Sequence, residues 1–242
     1  MKKFNLNLLT IFAFMLISST SYSQIKKTIY FIPGQGSDKR IFADLTLDSS
    51  YNYKFLDYNT PDRKLLLSEF AKQIATSIDS SEKFILIGVS LGGMICAELN
   101  EILNPEKVII ISSAKNRMEL PFRYKFQRII PLFEIFPARV LFWGAKILQP
   151  IVESDRNKNK DTFKSMLFSK NPTYIKRTIR LIINWKRTSN SKEIIHIHGT
   201  NDHTLPFKNI SNPDYVIKNG SHMMTLTRAD EISKILNKIL SK

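Results

Sequence analysis

A chain of 242 residues, 43% of them hydrophobic and 24% charged, is long enough to bury one sizeable core, so a single domain is the starting expectation. Its one cysteine, Cys96, excludes an internal disulfide and reads as a buried helix residue. The net charge of +15 is uneven: residues 115–192 hold 18 Lys and Arg against 5 Asp and Glu, and the remainder after residue 23 is neutral.

The first element in chain order is a targeting segment. Lys2 and Lys3 form a basic start, Leu8 to Ile17 is apolar apart from Thr10, and Ser21-Tyr22-Ser23 offers small residues for cleavage before Gln24. This is the pattern of a secretory signal peptide over residues 1–23, which implies export to the periplasm or the medium. The apolar run of about ten residues falls short of the roughly 20 that a spanning helix needs.

Strand-like and helix-like stretches then alternate. Thr28 to Ile32 is β-branched and aromatic and stops at Pro33-Gly34; Tyr51 to Tyr58 reads as a second strand. Asp62 to Ser77 carries Leu65, Leu66, Phe70, Ile74 and then Ile78 at helical spacing. Phe84 to Val89 is continuously apolar, as in a strand covered on both faces. Leu91 to Leu103 reads as a helix stopped by Asn104-Pro105, and Val108 to Ile111 as another buried strand. Later come strands at Ile194 to Ile197 and Pro213 to Ile217, then a helix from Thr225 to Leu240. Six strands alternating with helices predict an α/β fold, a mostly parallel sheet with helices on both faces.

Residues 115–192 break this alternation. Prolines at 121, 131, 137, 150 and 172 divide them into short helices, with an exposed loop expected at Arg156 to Lys160. The expected organisation is therefore a core of residues 24–114 and 193–242 carrying a helical lid of residues 115–192. In open α/β sheets ligands bind at the carboxyl ends of the strands, and an insertion leaving from that edge would cover them.

Chemistry concentrates at the same edge. Gly88-Val89-Ser90-Leu91-Gly92 lies between a strand and a helix, where Gly-x-Ser-x-Gly makes a sharp turn that exposes the serine. A serine needs a base, and the base needs an orienting acid. Asp202 follows one strand in the stretch HIHGTNDHTLP, and His222 sits in the loop before the last helix. The order Ser90, Asp202, His222 suits three successive strand ends. No acid occurs in Ser112-Ser113-Ala114-Lys115, which leaves Asp202 to orient the base. His203 neighbours Asp202 but is not expected to be the base. His196 and His198 share one strand face; with no third ligand cluster evident they read as structural, and no metal is expected. An oxyanion needs N–H donors. Leu91, directly after the serine, supplies one, and Gln35 in PGQGSDKRIF, between Gly34 and Gly36, supplies the other. That glycine-rich loop lacks the Gly-x-Gly-x-x-Gly spacing of a dinucleotide site, and no cofactor is expected.

On FIPGQGSDKRIF, FILIGVSLGGM, NPEKVIIISSAK, IHIHGTNDHTLP and YVIKNGSHMM the chain resembles the α/β-hydrolase superfamily, in particular bacterial serine hydrolases of the esterase and lipase type. The resemblance spans nearly everything after residue 23. It implies Ser90 as nucleophile, Asp202 as acid, His222 as base and Gln35 and Leu91 as oxyanion donors. It departs at Pro33-Gly34, where the family usually has His-Gly. The expected activity is cleavage of a carboxylic ester or thioester; the alternative is a hydrolase fold kept as a non-catalytic module for a lipid or protein partner. The basic insertion interleaves Arg123, Lys125 and Arg128 with Phe122, Tyr124 and Phe126, which suits an anionic membrane surface. It carries no nucleic-acid motif, and nucleic acid is not expected as a partner.

Overall fold

The structure is a computed structural model that describes residues 26–152 and 159–242. The expected signal segment and most of the expected loop at 156–160 lie outside these residues; Lys160 itself opens a helix.

Six strands form one sheet: β1 (Thr28–Ile32), β2 (Asn52–Phe55), β3 (Phe84–Val89), β4 (Lys107–Ile111), β5 (Ile195–Gly199) and β6 (Tyr215–Ile217). Their order across the sheet is β2-β1-β3-β4-β5-β6, and every neighbouring pair is parallel. The helices are α1 (Leu67–Ala75), α2 (Leu91–Ile102), α3 (Phe122–Ile129), α4 (Leu132–Ile135), α5 (Ala138–Val152), α6 (Lys160–Phe168), α7 (Pro172–Ile183), α8 (Met224–Thr227) and α9 (Ala229–Leu240).

The alternation of each strand divides the core in two. Tyr30, Ile32, Phe84, Leu86, Val108 and Ile110 face α1, α2 and the C-terminal end of α7. Ile29, Phe31, Ile85, Ile87, Ile109 and Ile111 face the opposite way, toward α9 and Phe163 and Met166 of α6. The three central strands are buried on both faces, which is why they read as unbroken apolar runs. The edge strand β2 is exposed throughout and shorter than the expected 51–58.

Two helix boundaries differ from expectation, each for a local reason. The helix expected from Asp62 begins at Leu67, because Leu66 is extended and its amide donates to Glu69 Oε2 at 2.7 Å. The helix expected from Thr225 to Leu240 is split at Arg228, whose φ of −131° and ψ of 35° lie outside the helical region. Both segments still pack on the same core face, through Met224 and Leu226 of α8 and Ile232, Leu236 and Ile239 of α9.

The chain runs outward from β1 to β2 and then crosses to β3 on the other side of β1. The reversal places a crevice at the carboxyl ends of β1 and β3. The glycine-rich loop leaves β1 and Ser90 leaves β3, so the two meet at that crevice.

Candidate active site

Ser90 occupies the one-residue turn between β3 and α2, with φ 54° and ψ −121°. A positive φ is costly for a residue with a side chain, and it persists only where its surroundings hold it. Three contacts do so here. The Ser90 amide donates to Ile111 O at 3.0 Å, the Ser113 hydroxyl donates to Ser90 O at 2.6 Å, and the Gly93 amide donates to the same carbonyl at 2.9 Å. The glycine two residues on is a packing requirement: a Cβ on Gly92 would lie 2.0 Å from Ile32 O. The helix can therefore start hard against the end of β1 only if that position has no side chain.

The structure brings the three polar candidates into one line. Ser90 Oγ lies 2.8 Å from His222 Nε2, and His222 Nδ1 lies 2.8 Å from Asp202 Oδ2. Asp202 is almost fully buried. Its other oxygen, Oδ1, accepts the amides of Thr204 at 2.8 Å and Leu205 at 2.7 Å. Burial acts to raise the Asp202 pKa. The neighbouring His222, the hydrogen bond to it, the nearby His198 and the Leu205 amide together outweigh burial and hold the carboxyl below its usual value of 3.8. The carboxylate stays ionised and acceptor-only, so His222 Nδ1 must carry the proton and Nε2 is left to accept one from Ser90.

His203, the nearby alternative base, is not part of this line. It is exposed and its Nε2 pairs with its neighbour Asn201 Oδ1 at 2.9 Å. His196 and His198 are both fully buried in β5. His196 Nε2 and His198 Nδ1 are 3.1 Å apart, and His198 Nε2 donates to Leu205 O at 2.8 Å while lying 3.5 Å from Asp202 Oδ2. A carbonyl only accepts, so His198 is protonated on Nε2, and His196 must in turn donate to its Nδ1. Burial depresses the pKa of both imidazoles, and they stand neutral behind the Asp202 loop. The sequence showed these two histidines on one face but not that they end on Asp202. Among the described residues, no cluster of three or more His, Cys, Asp and Glu is placed to hold a metal ion.

The loop after β1 is a tight turn. Ser37 N donates to Gly34 O at 3.2 Å, with Gln35 and Gly36 between them, and Gly36 has φ 76°. This is the geometry in which glycine is needed at the third position. The Gln35 amide takes no part in the turn's closing bond. Leu91 is the first residue of α2, so its amide is among those without an intrahelical acceptor, at the positive end of the helix. Two supports of this loop were not legible beforehand: Tyr58 OH donates to Pro33 O at 3.0 Å, and Gln35 Nε2 donates to Thr178 Oγ1 at 2.8 Å and Ile175 O at 3.2 Å.

A cleft of about 170 Å³ opens over Ser90 and His222. Gln35 and Gly36 form one side; Met94, Tyr124, Phe163, Leu167, Ile175 and Leu205 supply much of the apolar lining. No Lys, Arg, Asp or Glu lines it among the described residues. Helices α3, α5, α6 and α7 each contribute lining residues, so the inserted helices lie over the strand ends.

No protein-family model matches the chain, and no curated protein matches it by sequence. Solved structures do match in shape. The enol-lactonase from Burkholderia xenovorans LB400 aligns with TM-score 0.69 at 14% identity, over 89% of this chain and 92% of that one. A thermophilic esterase from Thermogutta terrifontis aligns with TM-score 0.67 at 13% identity, over 89% of both chains. The fold is that of the α/β-hydrolases. A type II thioesterase of the yersiniabactin NRPS/PKS pathway shares the α/β-hydrolase fold with TM-score 0.56 at 13% identity, covering 89% of this chain and 92% of its own. Within the α/β-hydrolase fold seen here, Ser90, Asp202 and His222 stand after β3, after β5 and after β6.

Proposed function

We propose that the protein is a serine hydrolase that cleaves a carboxylic ester or thioester through an acyl-enzyme. The observation that carries this reading is the continuous hydrogen-bonded line from Asp202 through His222 to Ser90 Oγ at the floor of an apolar cleft. The esterases, lactonases and thioesterases of the same fold support the reaction class.

In this reading Ser90 Oγ attacks the substrate carbonyl carbon as His222 Nε2 takes the hydroxyl proton. The carbonyl π electrons move to oxygen, and the amides of Gln35 and Leu91 donate to the resulting oxyanion. The tetrahedral intermediate collapses, the bond to the alkoxide or thiolate breaks, and His222 returns the proton to that leaving group. Water then attacks the acyl-enzyme with His222 again as base, releasing the acid and restoring Ser90. The Asp202 carboxylate holds the imidazole in the required tautomer and offsets its charge while it is protonated.

The cleft lining selects the acyl group. A charged acyl chain would lose its hydration against Met94, Phe163, Leu167 and Ile175 without gaining a partner, so neutral, apolar acyl groups are preferred. Export rests on the basic start, apolar run and small residues of the first 23 positions. Sequencing the N-terminus of the natively produced protein tests it, with Gln24 expected first.

The enzymatic reading is tested with p-nitrophenyl esters of graded acyl length and an active-site serine probe. The wild-type chain should hydrolyse them and take up the probe. Ser90→Ala should lose probe labelling and lower kcat by several orders of magnitude, on the order of 10⁶ in serine hydrolases whose nucleophile is removed. Near-normal turnover by a folded Ser90→Ala variant would rule the mechanism out.

A further inference from the structure

The inserted helices have two chemically different sides. Tyr124 of α3, Ala145 of α5 and Phe163 and Leu167 of α6 point into the cleft. On the other side, α3 presents Phe122, Phe126 and Ile129 at spacings of four and three, and α5 presents Val140, Trp143 and Ile147 at spacings of three and four. These are single-face spacings on a helix. Phe122 is 76% exposed, Ile129 81% and Trp143 59%. Ile135 of α4 and Phe168 at the end of α6 are exposed as well. Both α3 and α5 pack against α7, and among the described residues no other helix or strand covers their outer stripes. Singly exposed apolar residues are ordinary, but stripes on two helices of one insertion mark an interaction surface.

The charge around the stripes narrows the partner. Lys146 Nζ lies over the rings of Phe168 at 3.4 Å, Phe142 at 4.2 Å and Trp143 at 4.4 Å. Trp143, Lys146, Ile147, Lys160, Lys164 and Phe168 together line a second, outward recess. Of the described carboxylates in this insertion, Glu119 is buried, Glu134 is paired with Arg180, and the exposed Asp161 in the first turn of α6 offsets one of the three outward lysines Lys146, Lys160 and Lys164, which leaves that surface net positive. An apolar surface bordered by ammonium groups and an indole fits the headgroup and upper acyl region of an anionic bilayer. A second copy of this chain would bring the same positive surface against it.

We propose that the outer face of α3, α5 and α6 docks the protein on anionic lipid bilayers, with Trp143, Ile147 and Phe168 entering the interface and Lys146, Lys160 and Lys164 meeting lipid phosphates. This goes beyond the hydrolase reading and does not depend on it. The same helices wall the cleft with their other side, so docking holds the cleft about one helix diameter from the membrane.

Vesicle sedimentation of the full chain tests the proposal, using phosphatidylcholine alone and phosphatidylcholine mixed with phosphatidylglycerol, at low and physiological salt. Binding should favour the anionic vesicles and weaken as salt rises, because exposed charges are screened over about 10 Å at 0.1 M. Each neutralised lysine near the surface should lower partitioning about fivefold, equivalent to about 1 kcal/mol, so Lys146→Gln with Lys164→Gln should cost roughly 25-fold. Trp143→Ser with Ile147→Ser should lower it through lost apolar burial. Both variants should keep wild-type turnover of a soluble short-chain ester, or a wild-type melting profile if that turnover is nil. Ser90→Ala should bind vesicles like the wild type, which separates failure of docking from failure of the hydrolase reading. Equal partition to neutral and anionic vesicles, no binding at low salt, or undiminished binding by both variants would overturn the proposal. So would a concentration-dependent dimer in sedimentation velocity that the Trp143→Ser, Ile147→Ser variant abolishes.

Discussion

At the scale of single residues, the site depends on which atom carries which proton. Asp202 uses both oxygens: Oδ1 takes two loop amides and Oδ2 takes His222 Nδ1. Converting the carboxylate to an amide leaves the shape but presents a donor toward His222 in one of its two orientations, which favours the wrong imidazole tautomer. Asp202→Asn should therefore fold and lower kcat by about 10⁴, the size of the effect in a serine protease with this arrangement, while His203→Ala should retain most of its activity. His203 reaches only Asn201 and is exposed, so it has no route to the Ser90 proton. Steady-state kinetics on one soluble ester check both variants. Equal losses from His203→Ala and His222→Ala would move the base to residue 203. That Ser90, Asp202 and His222 would meet was legible in the sequence because each follows a strand of recognisable composition, and strand ends of a parallel sheet converge. The role of Ser113 was not legible. It acts on Ser90 through register, since β4 places Ile111 beside Val89 and the next residues come level with the turn.

At the scale of elements, β1, β3 and β4 were readable because strands buried on both faces are nearly continuous apolar runs, as these are after Thr28, throughout β3 and after Lys107. Boundaries were less readable, since Leu65 and Leu66 keep helical spacing although Glu69 caps the chain one turn later. Least readable was how the insertion meets the core. Nothing local announces that Gln35, in the loop after β1, will donate its side chain to Ile175 and Thr178 of α7, about 140 positions away. This pair of bonds ties the backbone that carries one expected oxyanion donor to the helix on which α3 and α5 lean. Gln35→Ala keeps the backbone amide and removes only the tie. It should lower kcat by about five- to tenfold, the worth of one side-chain hydrogen bond of about 1 kcal/mol, with a smaller change in KM. Thr178→Val should produce part of the same loss, and the two together should be less than additive. A wild-type kcat in Gln35→Ala would show that the loop is held by the turn and Tyr58 alone.

At the scale of the whole molecule, stability should fall as the solution is made mildly acidic, and the cause lies under the site rather than on the surface. His196 and His198 are fully buried, and burial holds the folded pKa of each below the ordinary imidazole value of 6.5, with repulsion from a second proton on neighbouring His198 and from Lys115 adding to the effect on His196. An unfolded chain takes up protons on both rings below that value, whereas the folded chain resists. Because the unfolded state then binds more protons, stability is fully present above 6.5 and is lost as pH falls below it. Each such group contributes a slope of up to about 1.4 kcal/mol per pH unit. The lowered Asp202 acts in the same direction but in a lower window, where an unfolded carboxyl would protonate near 3.8. Glu119 acts in the opposite sense: burial raises its pKa above 4.5, so its contribution is lost as pH rises. A single variant isolates the histidine part from both. His196→Gln keeps a donor toward His198 Nδ1 and removes one titrating ring, leaving Asp202 and Glu119 common to both proteins. Urea unfolding at about pH 7 and about pH 5 should show the wild type losing stability across that interval, and the variant losing less, by up to the slope of one proton. If the two proteins lost the same amount, the buried histidines would not be the source of the acid sensitivity, and the neutral pair behind Asp202 would have to be abandoned as its explanation.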